Sequence, residues 1–283
     1  MPLLEEAILA IDLGATSFRV AVVDRRGNIA SRHRADTNTH EGQQRVLARL
    51  SEAGRLVMDQ APNRRVVAVS VAAPGTVDPT QGVLITPPNL PNWRNVPLKK
   101  VMEGEFGMPV LVNNDATLAA LGEHQFGAGR GRKHMVYLTW STGIGGGGIV
   151  DGALLLGAKG LAGEPGHMIM EPEGPLCGCG NRGCLESVAS GTAIARMAQE
   201  ALARGEASLI ASLTKGQSSS ITAEVVAQAA RSGDALAQSL LRKASTYMGI
   251  GVVNLIHLLD PERVIIGGGI SRIGGWFGVR CGG

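Results

Sequence analysis

Apolar positions along the first hundred residues change period several times. Residues 7–12 form a short apolar run, 17–24 alternate and are rich in valine, and Arg26, Gly27 and Asn28 offer a turn before 29–35. That pattern predicts three consecutive strands. Over 43–61, Leu47, Leu50, Val57 and Ala61 recur at helical spacing, and 66–72 is a β-branched run that predicts a buried strand. Residues 74–97 are full of Pro, Gly and Asn and predict mostly loop. A helix follows over 97–106, a strand over 110–113 and a helix over 116–126. Strands over 135–140 and 145–150 flank a glycine turn, and 157–184 reads as irregular. From 187 to 260 the pattern is mainly helical. There Leu236, Leu240, Leu241, Ala244, Met248, Val252, Leu255, Ile256 and Leu259 define one apolar face. Asp260 and Pro261 stop that helix. A last strand over 264–266 leads into Gly267, Gly268 and Gly269, with a helix start expected beyond them.

Alternating strands and helices predict an α/β class. A faint internal echo supports two similar halves. The segments 11–16 and 140–145 each read as strand, Gly/Thr turn and a second strand, each followed by an Asp, Asp24 or Asp151. The boundary is placed at 119/120. This gives a smaller N-terminal α/β lobe over 1–119 and a larger C-terminal lobe over 120–283.

Composition narrows the function classes. Apolar residues make up 44% of 283, enough for a real core, and charged residues make up only 18%, which argues against general disorder. A net charge of +3 is too weak to argue for a nucleic-acid partner. No apolar run reaches about 18 residues, so no membrane span is expected. The first residues lack the basic region of a signal peptide. Three cysteines crowd into 177–184 rather than spreading as a disulfide framework would. A cytoplasmic location follows as the expectation.

Glycine is over-represented, at 40 residues. The Asp12-Leu13-Gly14-Ala15-Thr16 turn would expose backbone N–H groups and a hydroxyl, which suits phosphate oxygens. Asp12 could hold Mg²⁺ through water. An ordinary hairpin with Asp and Thr in turn roles reads the same way. The run from Thr142 and Gly143 through Gly145 to Gly148 argues that something lies against its backbone. Gly268 marks a third such turn. Three glycine turns in an α/β chain point to nucleotide binding.

His167, Cys177, Cys179 and Cys184 offer one imidazole and three thiolates. That set completes a tetrahedral Zn²⁺ shell with no open position, which marks a structural site. Reduced buried cysteines with an incidental His are the plainer alternative. Glu164 and Glu186 lie near this cluster in sequence and read either as acceptors for a hydroxyl-rich ligand or as solvated glutamates. Asn113, Asn114 and Asp115 end a strand and precede a helix. They read either as a helix cap or as the site of a general base for phosphoryl transfer.

Taken together, the segments 12–16, 73–75, 89–93, 113–115, 141–147, 164–167, 177–186 and 267–269 resemble the ROK family of sugar kinases, most closely its bacterial ATP-dependent glucokinases. The resemblance spans about residues 7 to 275. It implies an actin-like (ribonuclease H-like) fold of two lobes with a cleft and a zinc-bound loop in the larger lobe. It implies ATP-dependent phosphorylation of glucose at its C6 hydroxyl, with Asp115 as general base and Mg²⁺ on the ATP. It places Gly75, Asn114, Asp115, Glu164, His167 and Glu186 on the sugar. Asp12, Gly14, Thr16, Thr142, Gly143, Gly145 and Gly268 fall along ATP and its metal. A homodimer or homotetramer is expected. Other hexoses (N-acetylmannosamine, fructose, mannose, allose), or an inactive sugar-binding fragment, are the alternatives. Two departures bear on this. Only eleven residues precede Asp12, so the DNA-binding segment of the family's repressors is not expected. Residues 274–283 lack helical period and read as a shortened end, which would leave apolar surface exposed on the N-terminal lobe.

Overall fold

The structure, a computed structural model, describes residues 4–87 and 90–273. The expectation for 274–283 therefore lies outside the described residues. The chain divides into two compact units. One comprises Met1–Leu118 with Leu156–Ala162, and the other Ala119–Leu155 with Gly163–Gly283.

The first unit is built on a five-stranded sheet. Its strands are β1 (Glu5–Leu13), β2 (Ser17–Asp24), β3 (Ile29–Asp36), β4 (Arg64–Ala73) and β7 (Val110–Asn114), ordered β3-β2-β1-β4-β7. β1, β2 and β3 pair antiparallel, while β4 and β7 run parallel to β1. Alternation puts Leu9, Ile11, Leu13, Val20, Val22, Val69 and Val71 on one face. Helix α1 (Gln43–Asp59) covers that face with Val46, Leu50, Ala53 and Val57. Gly54 lets α2 (Leu98–Phe106) close in, since a Cβ there would stand 2.6 Å from Phe106 Cζ. On the opposite face Ile8 and Leu111 are exposed, beside half-buried Ala10, Ala68 and Ser70.

The segment 74–97 is more ordered than its composition predicts. It contains β5 (Thr76–Asp78) and β6 (Val83–Thr86), an antiparallel pair, and Leu84 bridges to Val96. Strands of three and four residues leave too little alternation to be seen among prolines and glycines. Helix α3 (Asp115–Phe126) starts directly from the end of β7, and the division between the units falls within it.

The second unit has a four-stranded sheet, ordered β10-β9-β8-β11. It comprises β8 (Met135–Trp140), β9 (Ile144–Val150), β10 (Ala153–Leu154) and β11 (Arg263–Gly267). β8 and β9 form an antiparallel hairpin, as β1 and β2 do, which is the form the sequence echo takes. Helices α4 (Leu185–Ala189), α5 (Gly191–Ala203), α6 (Leu209–Leu213), α7 (Ala223–Arg231) and α8 (Ala235–Leu259) build the main core with β8. Ala120 packs with Met135, Tyr137 and Ile149 in a second, smaller cluster.

α8 buries Ala237, Leu241, Ala244, Met248, Gly251 and Leu255. Ile256, expected in that row, is exposed instead, because one residue along a helix turns about 100° away from Leu255. Ile250, Val253 and Leu258 are exposed with it. The helix expected after Gly269 is a single 3-10 turn, Ile270–Arg272, within the described residues. Among the described residues no helix is long and apolar enough to cross a membrane.

Candidate active site and metal centre

In the first unit, the turn between β1 and β2 is held from a distance. The buried hydroxyl of Thr37 donates to the Gly14 carbonyl at 2.6 Å, and the Thr37 amide donates to the Thr16 carbonyl at 2.9 Å. A Cβ on Gly14 would stand 2.6 Å from the Ser17 carbonyl oxygen, so the turn requires glycine here. Thr37 carries no signal of this role in sequence, since it sits beyond two strands. Asp12 pairs with Arg19 across the hairpin at 3.5 Å. Both side chains are half-exposed, so the pair is weak enough to yield to a bound cation.

The end of β7 separates two roles that the sequence could not. Asn114 is the cap: its Oδ1 accepts from the amides of Ala116 at 2.9 Å and Thr117 at 3.2 Å. Its Nδ2 donates to the Gly75 carbonyl at 2.9 Å, fixing a turn in which Gly75 has φ +79°. Asp115 is the first residue of α3, and its Oδ1 accepts from the Ala116 amide at 2.8 Å. Asp115 is exposed by surface area, yet enough protein surrounds it for desolvation to matter. Burial pushes its carboxyl above the usual range, and the negative charge of Asp12 adds to the rise. Such a carboxylate is a better proton acceptor near neutral pH.

In the second unit, residues 141–143 form the turn between β8 and β9, closed by the Ser141 amide on the Gly143 carbonyl at 3.0 Å. The start of α5 grips it. The Gly191 amide donates to the Ser141 carbonyl at 2.8 Å, and the Thr192 amide and hydroxyl both donate to the Thr142 carbonyl. Thr142 is exposed, and Gly145 lies within β9 opposite Thr139. Gly268 follows β11 next to this hairpin with φ +96°, and a Cβ there would meet the Trp140 carbonyl at 2.3 Å. Beyond Gly145 the glycine run is packed against protein, as the close approach expected there requires. At Gly146 a Cβ would clash with the Tyr137 carbonyl and with Pro165 Cγ, and Gly147 and Gly148 face Gly163 and Leu155. The chain itself fills that space.

The metal-centre expectation meets a direct test in the loop 165–184. The ligand atoms of His167, Cys177, Cys179 and Cys184 all lie within 4.8 Å of one another. Cys179 and Cys184 sulfurs are 3.6 Å apart, and Cys177 Sγ is 3.7 Å from His167 Nδ1. Four ligands at about 2.3 Å around tetrahedral zinc would be spaced roughly 3.8 Å apart, so the set fits the ion. Without a cation, burial and the neighbouring thiols push the Cys184 thiol up to about 12. A divalent ion inverts that preference by binding the thiolate. The glycines shape the loop: Gly180 and Gly183 have φ of +93° and +63°, and a Cβ on Gly183 would lie 1.5 Å from the Glu171 carbonyl oxygen.

With Nδ1 facing the sulfurs, the His167 ring directs Nε2 away from the cluster. Glu164 is half-buried, and its carbonyl accepts from the His167 amide. Glu186 is half-buried on α4, two residues after Cys184, and its Oε2 accepts from the Ile144 amide at 2.9 Å.

The profile of the ROK family matches residues 8–279. The chain belongs to the ROK family. Among its relatives in the family, a glucokinase from Thermotoga maritima is 40% identical over 267 residues, covering 94% of this chain and 83% of that protein. The crystal structure of a ROK hexokinase from Thermus thermophilus superposes with a TM-score of 0.80 at 35% identity, covering 94% of this chain and 82% of that one. A ROK glucokinase from Streptomyces griseus, solved in complex with glucose and AMPPNP, gives 0.79 at 36% identity, covering 96% and 86%. The fold is therefore the actin-like α/β fold of ROK kinases.

Proposed function

We propose that this ROK protein transfers the γ-phosphoryl group of ATP to the C6 hydroxyl of glucose, yielding glucose 6-phosphate and ADP. The observation that carries the reading is the division of labour at the end of β7. Asn114 takes the capping role, which leaves the Asp115 carboxylate bonded to the Ala116 amide and with a raised proton affinity. In this reading Asp115 accepts the C6 proton while the sugar oxygen attacks phosphorus and ADP departs. A base so placed contributes about 10²–10⁴ in rate. Gly75, Asn114, Glu164, His167 Nε2 and Glu186 hold sugar hydroxyls. Gly14, Thr16, Thr142, Gly143, Gly145 and Gly268 receive the nucleotide. Mg²⁺, held near Asp12 through water, would neutralise charge on the β- and γ-phosphates. Zinc would rigidify the loop that carries His167 and Glu186. The glucokinase kinship at 40% identity and the glucose and AMPPNP complex of the Streptomyces griseus relative support the choice of substrates.

The chain is further read as a cytoplasmic homodimer or homotetramer; the exposed apolar residues Ile250, Val253 and Ile256, at spacing three on α8, support self-association. Sedimentation at micromolar concentration tests it, and a monomer there would overturn it.

The test of activity is ADP release with Mg-ATP and a panel of glucose, N-acetylmannosamine, mannose, fructose and allose, beside Asp115→Asn. Turnover highest with glucose and lost in the variant is expected. A higher rate with another hexose would reassign the substrate, and an unimpaired D115N would remove Asp115 as base.

A further inference from the structure

Two segments of the metal loop converge on Ile144, the first residue of β9 after the 141–143 turn. On one side, Cys184 leads into α4, whose Glu186 Oε2 accepts from the Ile144 amide at 2.9 Å. The same oxygen lies where a side chain at Gly143 would go, 2.5 Å from the position of its Cβ. On the other side, His167 follows Gly166, which lies so close to Ile144 that a Cβ there would stand 1.9 Å from the Ile144 carbonyl oxygen. Pro165 meets Gly146, two residues along the same strand, in the same way. Two of the four metal-ligating residues are thus within two positions of a residue seated on Ile144 or its neighbour. Cys184 is also tied to the His167 side directly, through its bridge to Ile169 and the Leu185 amide on the Met168 carbonyl at 2.8 Å.

We infer that Glu186 is a positioning residue for the nucleotide turn, and that metal occupancy of the His167, Cys177, Cys179 and Cys184 cluster sets the affinity for the phosphates of ATP through Glu186 and Gly166. The inference rests on reading 141–144 as a phosphate-binding turn. Its physical basis is that the two contacts are of different kinds. Gly166 fixes the Ile144 carbonyl by close packing, which tolerates no shift toward it. Glu186 fixes the Ile144 amide by a charge-assisted hydrogen bond, which is lost if α4 rotates. An ion joining Cys184 to His167 holds both contacts at once. Without it, the backbone bonds of 168–170 to 183–185 are left to join the two arms, and the peptide groups of the turn hold their orientation toward phosphate less firmly. By linkage, a bound nucleotide must tighten zinc binding by the factor by which zinc tightens nucleotide.

The test uses the full chain in its zinc-loaded form, a chelator-treated form, and the zinc-loaded variants Glu186→Ala, Glu186→Gln and Gly143→Ala. The first readout is amide hydrogen exchange at Ile144. It should accelerate on zinc removal and in E186A, and in G143A, where the added methyl displaces the carboxylate without touching a metal ligand. E186Q keeps an acceptor oxygen and should retain protection. The second readout is calorimetric binding of Mg-AMPPNP and, separately, of glucose. Nucleotide affinity should fall by about 5- to 150-fold on zinc removal and in E186A, the usual range for coupling between two sites. In E186Q it should stay near the parent value while glucose binding weakens. Unchanged Ile144 exchange in both E186A and G143A would overturn the coupling, whether or not the stripped protein stays folded. Faster exchange with unaltered nucleotide affinity would instead overturn the assignment of 141–144 to phosphate.

Discussion

Asn114 joins two turns of the first unit: its Nδ2 donates to the Gly75 carbonyl at 2.9 Å while its Oδ1 caps α3. Both ends of one amide are in use, so its two natural replacements fail differently. Asn114→Ala loses the cap and the Gly75 bond together, an expected cost of about 1–3 kcal/mol. Asn114→Asp keeps the cap but turns a donor into an acceptor facing a carbonyl. Thermal melting should place both variants below wild type. The KM for glucose should rise in both, and a wild-type KM in N114D would show that the Gly75 turn needs no tether.

Asp115→Asn should cost activity and favour stability. Burial and Asp12 raise the Asp115 pKa in the folded protein, so its charged form is disfavoured by folding. A group raised in this way contributes stability that is complete below its unfolded pKa and lost as pH rises through the folded value. Above the folded value that contribution is gone, and the carboxylate is a burden that Asn relieves. Calorimetry should therefore show D115N melting at or above wild type at pH 7, with the gap closing as pH falls through the carboxylate range. A variant less stable at pH 7 would contradict the raised pKa.

The share of Asp12 in that rise can be isolated. Its charge acts in the same direction as burial, with burial the larger cause. Asp12→Asn should lower the Asp115 pKa without returning it to the ordinary value. Carbon-detected titration of the Asp115 carboxyl in nucleotide-free protein reads this directly, away from any effect of Asp12 on magnesium. No movement would mean that Arg19 already neutralises Asp12.

Two glycines of the metal loop should behave oppositely. Gly178 faces open space, so Gly178→Ala is expected to change stability by less than about 0.5 kcal/mol and to keep zinc. Gly183 has φ +63° and no room for a Cβ against the Glu171 carbonyl. Gly183→Ala should open the loop and lower zinc content measured by elemental analysis. Full zinc in G183A would mean that the loop can refold around the methyl.

Much of this fold is legible in the order of apolar residues. The strand alternation over 17–24 and the helical spacing of Leu47, Leu50 and Val57 survive because each element is long enough to show a period and buries one face. β5 and β6 are hidden because pairing with each other, and not composition, makes them strands. Ile256 groups with Leu255 by hydrophobicity, which does not record which side of α8 a residue occupies. The glycine run is legible in part. It announced a close approach to the backbone, and there is one, but Pro165, Gly163 and Leu155 make it. The cysteine spacing announced a ligand set that the geometry does bring together. What no local pattern held was the capping choice between Asn114 and Asp115, or the support from Thr37 and Thr192. Each of those is a hydrogen bond whose partner is fixed by the fold or by one rotamer.

The fit of Pro165 and Gly166 onto Gly146 and Ile144 also bears on how such proteins can be recombined. Each side of that contact is shaped by what the other lacks. A loop transplanted from a relative with a bulkier residue at 166, or a hairpin transplanted with alanine at 146, would not seat on its new host. Residues 141–148 and 163–186 therefore form one exchangeable cassette, to be swapped together in any chimaera that aims to alter sugar preference.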